Sequence, residues 1–475
     1  MRLKAHPAVF YGKEQSMAEQ KVMNRWLVVI GALVIQISLG AVYIWSVFQT
    51  PLKRQFPSWT ETQVTLPAQI VLAAFALAVI FGGRLQDRLG PRKVATAGGI
   101  ILGAGLILAR FAGNFPSGTA LVWLILTFSV LGGIGIGAAY VCPIATCVKW
   151  FPDKKGLITG LAVAGFGAGA FFFAPLAKGL ISGVNYELLG IKLFPLPELE
   201  VFNTFGVLGL IFLVAVVAGA QLLRNPPAGY VPAGWTPPIK ASAAAKLDYT
   251  PGEMLRTPTF WVLWITYFAG CTAGLQVIMK ASPIWQSFAF SGLTSIPEAN
   301  FQSVTTAGAM AVSILAIFNS LGRILWGKLS DSIGRKATLI TMFIICAAAM
   351  LGLDWLRTYP LFMVGICLVG LCFGGYLALY PAVTADFYGT KHIGVNYGWM
   401  FSAYGAGGLA GPFLAAWLMK SVGKIPYTIT EPAGKVVERI FDVGNYRPAF
   451  VVSGIACLAA AALIMLAMRS PKSKE

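Results

Sequence analysis

Acidic and imidazole side chains are scarce in this chain. Only 18 Asp and Glu residues and two histidines occur among 475 residues, and they lie outside the long apolar stretches or at their ends. Carboxylates and imidazoles are the usual general bases, metal ligands and intramembrane proton carriers. We therefore expect no metal centre, no nucleophile–base pair and no buried carboxylate that carries a proton, which argues against an enzyme.

Charge of either sign is also scarce. Charged residues make up 11% of the chain and hydrophobic residues 57%, with a mean hydropathy of +0.73. Ordinary soluble domains hold about 25% charged residues. The composition predicts an all-α integral membrane protein, and the length gives room for about a dozen spans of some 20 residues.

Paired cysteine motifs are absent from the sequence. None of the seven cysteines forms a CxxC pair and all fall in apolar runs, so they are expected to be small apolar fillers. The net charge of +18 raises the question of nucleic acid binding. Inward-facing loops of membrane proteins explain it better, because they are rich in Lys and Arg.

Twelve apolar runs have the length of membrane helices. They begin near Trp26, Leu66, Val94, Ala120, Leu157, Phe202, Thr259, Thr305, Ala337, Leu361, Val395 and Pro448. With an even number, both tails lie on one side, and the tails and loops of that side carry 23 of the 36 Lys and Arg residues. This bias predicts cytoplasmic termini, although the last outer loop, 420–447, is itself basic.

The chain divides into two halves at a proline-rich segment. The expected parts are a cytoplasmic tail 1–25, a six-helix half 26–224, a linker 225–257, a second half 258–469 and a tail 470–475. The loop 83–93 after the second span repeats as 327–336 after the eighth, at an offset of 244. Pro143 and Pro381 repeat at an offset of 238. Transporters built from parallel repeats bind substrate near the midplane between them.

The repeated Gly-x-Leu-x-Asp-x-x-Gly loops resemble those of the major facilitator superfamily, over the whole chain. The matching residues are Gly83, Asp87, Arg88, Gly90 and Arg92 in the first copy, and Gly327, Asp331, Gly334 and Arg335 in the second. The resemblance implies that these loops serve the conformational switch and do not contact substrate. Physically, the aspartate can cap a helix N-terminus, and the glycines permit a tight turn.

Three further segments, 132–154, 318–327 and 396–405, resemble the oxalate/formate antiporter family and its monocarboxylate-transporting relatives. The linker pieces 234–238 and 248–251 are similar to that family as well. The resemblance implies a secondary carrier of small carboxylates in a bacterial inner membrane. It also implies an arginine in the eighth span that binds the carboxylate, which matches Arg323.

Arg323 is the one charge deep in a predicted span. It lies roughly 12 Å from the helix end, where an arginine costs at least about 2.5 kcal/mol. Its repeat mate is Val79, so the fold does not require a cation there. Either Arg323 binds an anionic substrate, or it lies along the helix toward the cytoplasm and pairs with Asp331 or a neighbour. Asn319, one turn away, orients Arg323, contacts substrate or serves packing alone.

The eleventh span departs from the family pattern. Oxalate-exchanging members have a lysine where this chain has Tyr404, so a single fixed cation remains, which suits lactate, pyruvate or formate. Lys280 is the alternative second cation. By helical rise it reaches the outer surface, unless Gly270 and Gly274 break the helix and bring it deeper, which would favour a dicarboxylate.

Tyrosines at mid-membrane depth are candidates for lining the substrate site. These are Tyr140, Tyr376, Tyr380 and Tyr404, with Tyr43 further out. A tyrosine offers an apolar face and a hydroxyl donor. The resemblance supports aromatic residues at the positions in spans 4 and 10, while ordinary helix packing is the alternative for each.

Together these features predict a twelve-helix secondary transporter of small monocarboxylates that works by alternating access. The runner-up is an oxalate/formate exchanger, and a sensor without transport is the alternative from another class. Exchange and proton symport both remain open, so the expected partners are a small carboxylate, the lipid bilayer and either a proton or a counter-transported carboxylate. We expect a monomer without cofactor or nucleic acid.

Overall fold

The computed structural model describes residues 23–188, 191–227, 229–232, 234–235, 248–430 and 436–469. Residues 1–22 of the predicted N-terminal tail, the predicted C-terminal tail 470–475, and residues 228, 233 and 236–247 of the linker therefore lie outside the described residues. The long helices are α1 (Arg25–Leu39, continued by the 3₁₀ segment Gly40–Ile44 and the helix Trp45–Gln55), α2 (Glu61–Leu89), α3 (Pro91–Ala109), α4 (Ser117–Leu124, continued by the π segment Ile125–Leu131 and the helix Gly132–Trp150), α5 (Lys155–Ser182), α6 (Glu200–Gln221), α7 (Pro258–Phe290), α8 (Glu298–Ile333), α9 (Arg335–Gly352), α10 (Tyr359–Tyr388), α11 (Ile393–Leu418) and α12 (Arg447–Ala467). A short helix, Pro251–Leu255, precedes α7.

The twelve predicted spans are confirmed as twelve long helices. Eleven of them, within the described residues, are long and apolar enough to cross a membrane. The remaining one, α11, has 26 residues. Pro143 and Pro381 both lie inside helices, at equivalent places in α4 and α10, as the repeat predicts.

Local chemistry explains where α2 and α8 end. Gly90 and Gly334 follow them with φ of +87° and +88°, a region that favours glycine. Pro91 and Arg335 then begin the next helices, and a proline in the first turn loses no helical hydrogen bond. The two repeated loops therefore make the same sharp turn.

The helices form two six-helix halves. In the first half α3 packs against α6, and in the second α9 packs against α12. The halves meet chiefly along two helix pairs, α5 with α8 and α2 with α11, and α5 also contacts α10. Gly83 makes close backbone contact with Gly394 in the second pair, and Gly327 does so with Gly156 in the first. Both contacts lie near the end of the bundle where Arg25 and Arg469 also lie, which we call the tail end.

The opposite end carries two β-hairpins that the sequence analysis treats as loops. Strands β1 (Tyr186–Leu188) and β2 (Ile191–Phe194) form the first, and β3 (Lys420–Thr430) and β4 (Val436–Asn445) form the second. The second hairpin packs its Ile425 and Val443 against Phe290, at the end of α7. The basic outer loop therefore has a regular structure.

Glycine does not interrupt α7, which runs unbroken from Pro258 to Phe290. The suggestion that Gly270 and Gly274 break this helix is wrong. Instead, the bare backbone at Gly270 admits the Tyr376 ring, and that at Gly274 admits Phe373, both from α10. The glycines thus serve close helix packing.

Candidate functional site

Arg323 lies on α8, at the contact between the two halves, and its side chain is 0% exposed. Its Nε donates to Asn319 Oδ1 at 3.2 Å, and its Nη1 donates to the backbone carbonyl of Val163 at 2.6 Å. Both acceptors are neutral. Among the described residues, Nη2 has no hydrogen-bond partner and the guanidinium forms no ion pair. A guanidinium has five N–H donors, so this one retains unused donors and an uncompensated charge.

The alternative in which Arg323 pairs with Asp331 is wrong. The Asp331 carboxylate instead accepts the backbone N–H groups of Gly156 and Leu157 at 2.9 and 2.8 Å, and it pairs with Arg335 at 2.8 Å. Asn319 has the position expected of an orienting residue, because its Oδ1 holds Nε from one helical turn away. Within the described part of the chain, no acidic side chain pairs with Arg323.

Aromatic side chains from three helices, α1, α4 and α11, pack together where the two halves meet. The hydroxyls of Tyr43 and Tyr404 are 2.5 Å apart, which joins α1 of one half to α11 of the other. Tyr140 packs against Phe401, with ring centroids 4.9 Å apart, and it is almost fully buried. Tyr404 stacks on the same Phe401 ring, with centroids 4.6 Å apart. The structure therefore brings Tyr43, Tyr140 and Tyr404 into one aromatic cluster between the two halves.

The two tyrosines of α10 have partners inside the second half. Tyr376 stacks on Phe343 of α9, with centroids 4.6 Å apart, and within the described chain its hydroxyl has no partner. Tyr380 stacks on Tyr267 of α7 at 4.1 Å and shares a 2.8 Å hydrogen bond with Thr266. The described contacts give both residues a packing environment and do not bring them to Arg323.

Lys280 is half-buried, ten residues before the end of α7. It makes no hydrogen bond or ion pair with the residues that the structure describes. Counting from the start of the span places Lys280 at the outer surface. The helix extends to Phe290, however, so Lys280 does not lie at the outer helix end. Its role as a second cation stays a prediction.

Three features of the site were missed by the sequence analysis. The first is the Val163 carbonyl, which carries no signal in the sequence, since every residue has one. The second is Gly167, whose missing side chain makes room for the guanidinium. The third is a pair of buried hydroxyls, Tyr267 and Tyr397, which have no hydrogen-bond partner among the described residues. The glycine spacing on α5 was the only available hint.

The repeated loops make equivalent contacts across the two halves. Asp87 of α2 accepts the backbone N–H groups of Gly394 and Val395 at 3.1 and 2.9 Å, at the start of α11. Asp331 does the same at the start of α5. A carboxylate at a helix N-terminus is stabilised by the unpaired N–H groups and the helix dipole. Each half therefore caps a helix of the other at the tail end.

The remaining loop residues differ between the copies. Arg335 bridges Asp331 and Asp386, and Asp386 also pairs with Lys155 of the first half at 2.8 Å. In the first copy, Arg92 donates to Gln221 at 2.6 Å. Arg88 forms no ion pair within the described residues. The ion-pair network between the halves is thus concentrated at the α5–α8 side.

All seven cysteines are free and buried, as expected for apolar fillers. Cys346 Sγ and Cys457 Sγ lie 3.8 Å apart, between α9 and α12. The described residues contain no group of His, Cys, Asp and Glu side chains suited to a metal ion.

Comparison with known proteins identifies the class. The model of the Major Facilitator Superfamily matches residues 23–297 and 285–475. The chain belongs to the Major Facilitator Superfamily. This is a family of membrane transporters and not of enzymes, so the predicted fold and class are confirmed.

Its relatives place the chain within the superfamily. It is 31% identical to the uncharacterized MFS-type transporter YhjX of Escherichia coli K12, over 81% of this chain and 86% of that protein. It is 29% identical to the oxalate:formate antiporter of Oxalobacter formigenes, over 84% and 86%. It is 26% identical to apicoplast pyruvate carrier 1 of Toxoplasma gondii, over 74% and 69%. The predicted relation to oxalate/formate and monocarboxylate carriers is confirmed.

A solved structure supports the fold. The proton:xylose symporter XylE, bound to 6-bromo-6-deoxy-D-glucose, matches with a TM-score of 0.65 at 12% identity, over 95% of this chain and 97% of that one. At this identity the likeness shows the fold alone.

Proposed function

We propose that this transporter carries small monocarboxylates, of the lactate, pyruvate or formate type, and that Arg323 binds the substrate carboxylate. The observation that carries the proposal is that the Arg323 guanidinium is buried without a charged partner among the described residues. It is 0% exposed, it has neutral partners at Nε and Nη1, and Nη2 has no partner among the described residues. A buried cation is costly unless an anion compensates it, and a guanidinium matches a carboxylate in shape and charge.

Tyr404 supports a substrate with one carboxylate. The position that holds a lysine in oxalate-exchanging relatives is neutral here, and the Tyr404 hydroxyl is engaged with Tyr43. A single cation balances a monoanion and leaves a dianion with excess charge. The names of two relatives, a pyruvate carrier and an oxalate:formate antiporter, describe carboxylate carriers of both kinds.

Lys280 favours the second candidate, an oxalate/formate exchanger. It is half-buried and, among the described residues, unpaired, so a rearrangement of α7 that brings it inward would restore a second cation. The resemblance to bacterial carriers supports an inner-membrane location, and the Lys and Arg distribution supports a tail end in the cytoplasm. Exchange fits the lack of membrane-embedded carboxylates better than proton symport does.

Uptake by proteoliposomes tests the proposal. Wild-type protein is expected to take up labelled lactate, pyruvate or formate in clear preference to oxalate. Removing one member of a buried charge pair costs about 2–5 kcal/mol, so Arg323→Ala should lower uptake at least about 30-fold. Arg323→Lys keeps the charge without the two-pronged geometry and should be intermediate.

The matched control is Lys178→Ala, which removes an exposed cation from α5. It should transport as the wild type does. Size-exclusion profiles and thermal unfolding confirm that each variant is folded. Normal uptake by folded Arg323→Ala protein would refute the role of Arg323, and a preference for oxalate would favour the exchanger.

A further inference from the structure

Helices α5 and α8 are in close contact along several turns between the halves, and Arg323 is one of the contacting residues. Along one face of α5, Gly156 meets Gly327, Gly160 meets the Arg323 carbonyl, and the Val163 carbonyl accepts from Arg323 Nη1. Positions 156, 160, 163 and 167 are spaced by four, three and four residues, which places them on one helical face. The substrate-binding candidate is thus also an interface residue.

Gly167 gives the guanidinium its place at this interface. A Cβ at position 167 would lie 3.2 Å from Arg323 Cζ and 2.6 Å from Ser320 Oγ. Real Cβ contacts are rarely this tight, so a side chain here would push the guanidinium away from α5 by a few tenths of an ångström. The bare backbone at Gly167 therefore gives the guanidinium the room in which Nη1 reaches the Val163 carbonyl.

Two acceptors fix the direction in which the free donors of Arg323 point. Asn319 belongs to the same helix as Arg323, so it moves with it. Val163 belongs to the opposite half. When the tail end opens, α5 must leave α8, and the guanidinium then loses one of its two acceptors and regains rotamer freedom.

We propose that the Val163 carbonyl and Gly167 are positioning residues for Arg323, so that the carboxylate site is complete only while the tail end is closed. The inference rests on the proposed function of Arg323 and deepens it. Affinity is high when α5 packs against α8 and falls when they separate, which promotes release at the tail end. By linkage, bound carboxylate in turn favours the closed tail end.

Variants of Gly167 and Ser320 separate the effect of Gly167 on Arg323 from its contact with the Ser320 hydroxyl. Gly167→Ala should weaken carboxylate binding roughly tenfold, because a hydrogen bond to a charged group contributes about 1.5–3 kcal/mol. Ser320→Ala should bind as the wild type does. The double variant Gly167→Ala with Ser320→Ala removes the clash with the serine and keeps the crowding of Cζ. It should stay weak, and recovery of wild-type affinity in the double variant would overturn the proposal.

A cysteine reporter tests the same proposal without relying on affinity. Ala378 of α10 is fully buried, and its carbonyl accepts from Thr159 of α5 at 2.9 Å, so Ala378→Cys reports separation of α5 from the second half, to which α8 also belongs. In a background without the native cysteines, N-ethylmaleimide should label it several-fold faster when Gly167 is alanine. Saturating lactate or pyruvate should slow labelling of the otherwise wild-type reporter.

The two hypotheses fail differently. If the wild type binds no carboxylate, the proposed function is wrong, while the labelling rate of the Gly167→Ala reporter still judges the link between Arg323 and α5. If the wild type binds carboxylate but Gly167→Ala changes neither affinity nor labelling, only the positioning role is wrong. Faster labelling of the reporter on addition of substrate would also overturn it.

Discussion

In the proposed function, Arg323 binds the substrate carboxylate and Tyr404 sets how many charges the substrate carries. An arginine at this depth costs at least about 2.5 kcal/mol on the lenient insertion scales, and the equivalent position in the first half is Val79. The arginine is therefore not a requirement of the fold. Its surroundings, one amide and one carbonyl oxygen, orient the guanidinium without neutralising it. We propose that recognition of an anionic substrate compensates this cost.

Tyr404 is the residue that should set the number of charges on the substrate. Tyr404→Lys is expected to raise oxalate uptake relative to lactate uptake at least about tenfold, because a second cation near Arg323 balances the second carboxylate. Tyr404→Phe is the control, since it removes the hydroxyl and adds no charge. Initial rates with both substrates in proteoliposomes measure the ratio. An unchanged ratio in Tyr404→Lys would place the origin of selectivity elsewhere.

At the scale of elements, two aspartates tie each half to a helix of the other. The turns that present them are set by Gly90 and Gly334, whose positive φ values end α2 and α8 abruptly. The sequence repeat was sufficient to predict that the two loops match. It could not say that Asp87 caps α11 and Asp331 caps α5, because those helices lie far away along the chain.

Neutralising these caps should loosen the tail end. Asp331→Asn loses the ion pair with Arg335. It also loses the interaction of the carboxylate charge with the α5 N-terminus, and that interaction alone contributes about 1 kcal/mol. Labelling of the buried Ala378→Cys reporter should then rise roughly fivefold. Asp354→Asn is the matched control, because Asp354 pairs with Arg357 at the far end of the bundle. Equal labelling rates in the two variants would show that Asp331 does not stabilise the closed tail end.

Helix existence was predictable and helix detail was not. Runs of some 20 apolar residues cannot be anything but helices in a membrane, since each backbone polar group must be satisfied within the segment. The β3–β4 hairpin escaped prediction because its strands lie outside the apolar runs, where this constraint does not apply. Gly270 and Gly274 were misleading because neighbouring rings of α10, and not the local sequence, determine what the glycines do.

For the whole molecule, the orientation in the membrane is the prediction that follows from composition. We expect both ends of the chain on the cytoplasmic side, because 23 of the 36 basic residues lie in the tails and loops of that side. Green fluorescent protein fused to either end should fluoresce, and alkaline phosphatase fused there should be inactive. Active phosphatase at both ends would show that the orientation is the reverse of the predicted one. Active phosphatase at only one end would show that the number of spans is odd.

The sequence by itself determined the membrane class, the twelve helices, the two repeated halves and the one deep arginine, because hydrophobic length, repeat spacing and charge are local properties. It also identified Tyr404 as the neutral position in the family pattern. Only the tertiary structure decided that Arg323 donates to the Val163 carbonyl and does not pair with Asp331. It also decided that the Tyr43 and Tyr404 hydroxyls share a hydrogen bond and that Gly167 makes room for the guanidinium. Each of these depends on backbone groups and missing side chains brought together from opposite halves, which no local pattern records.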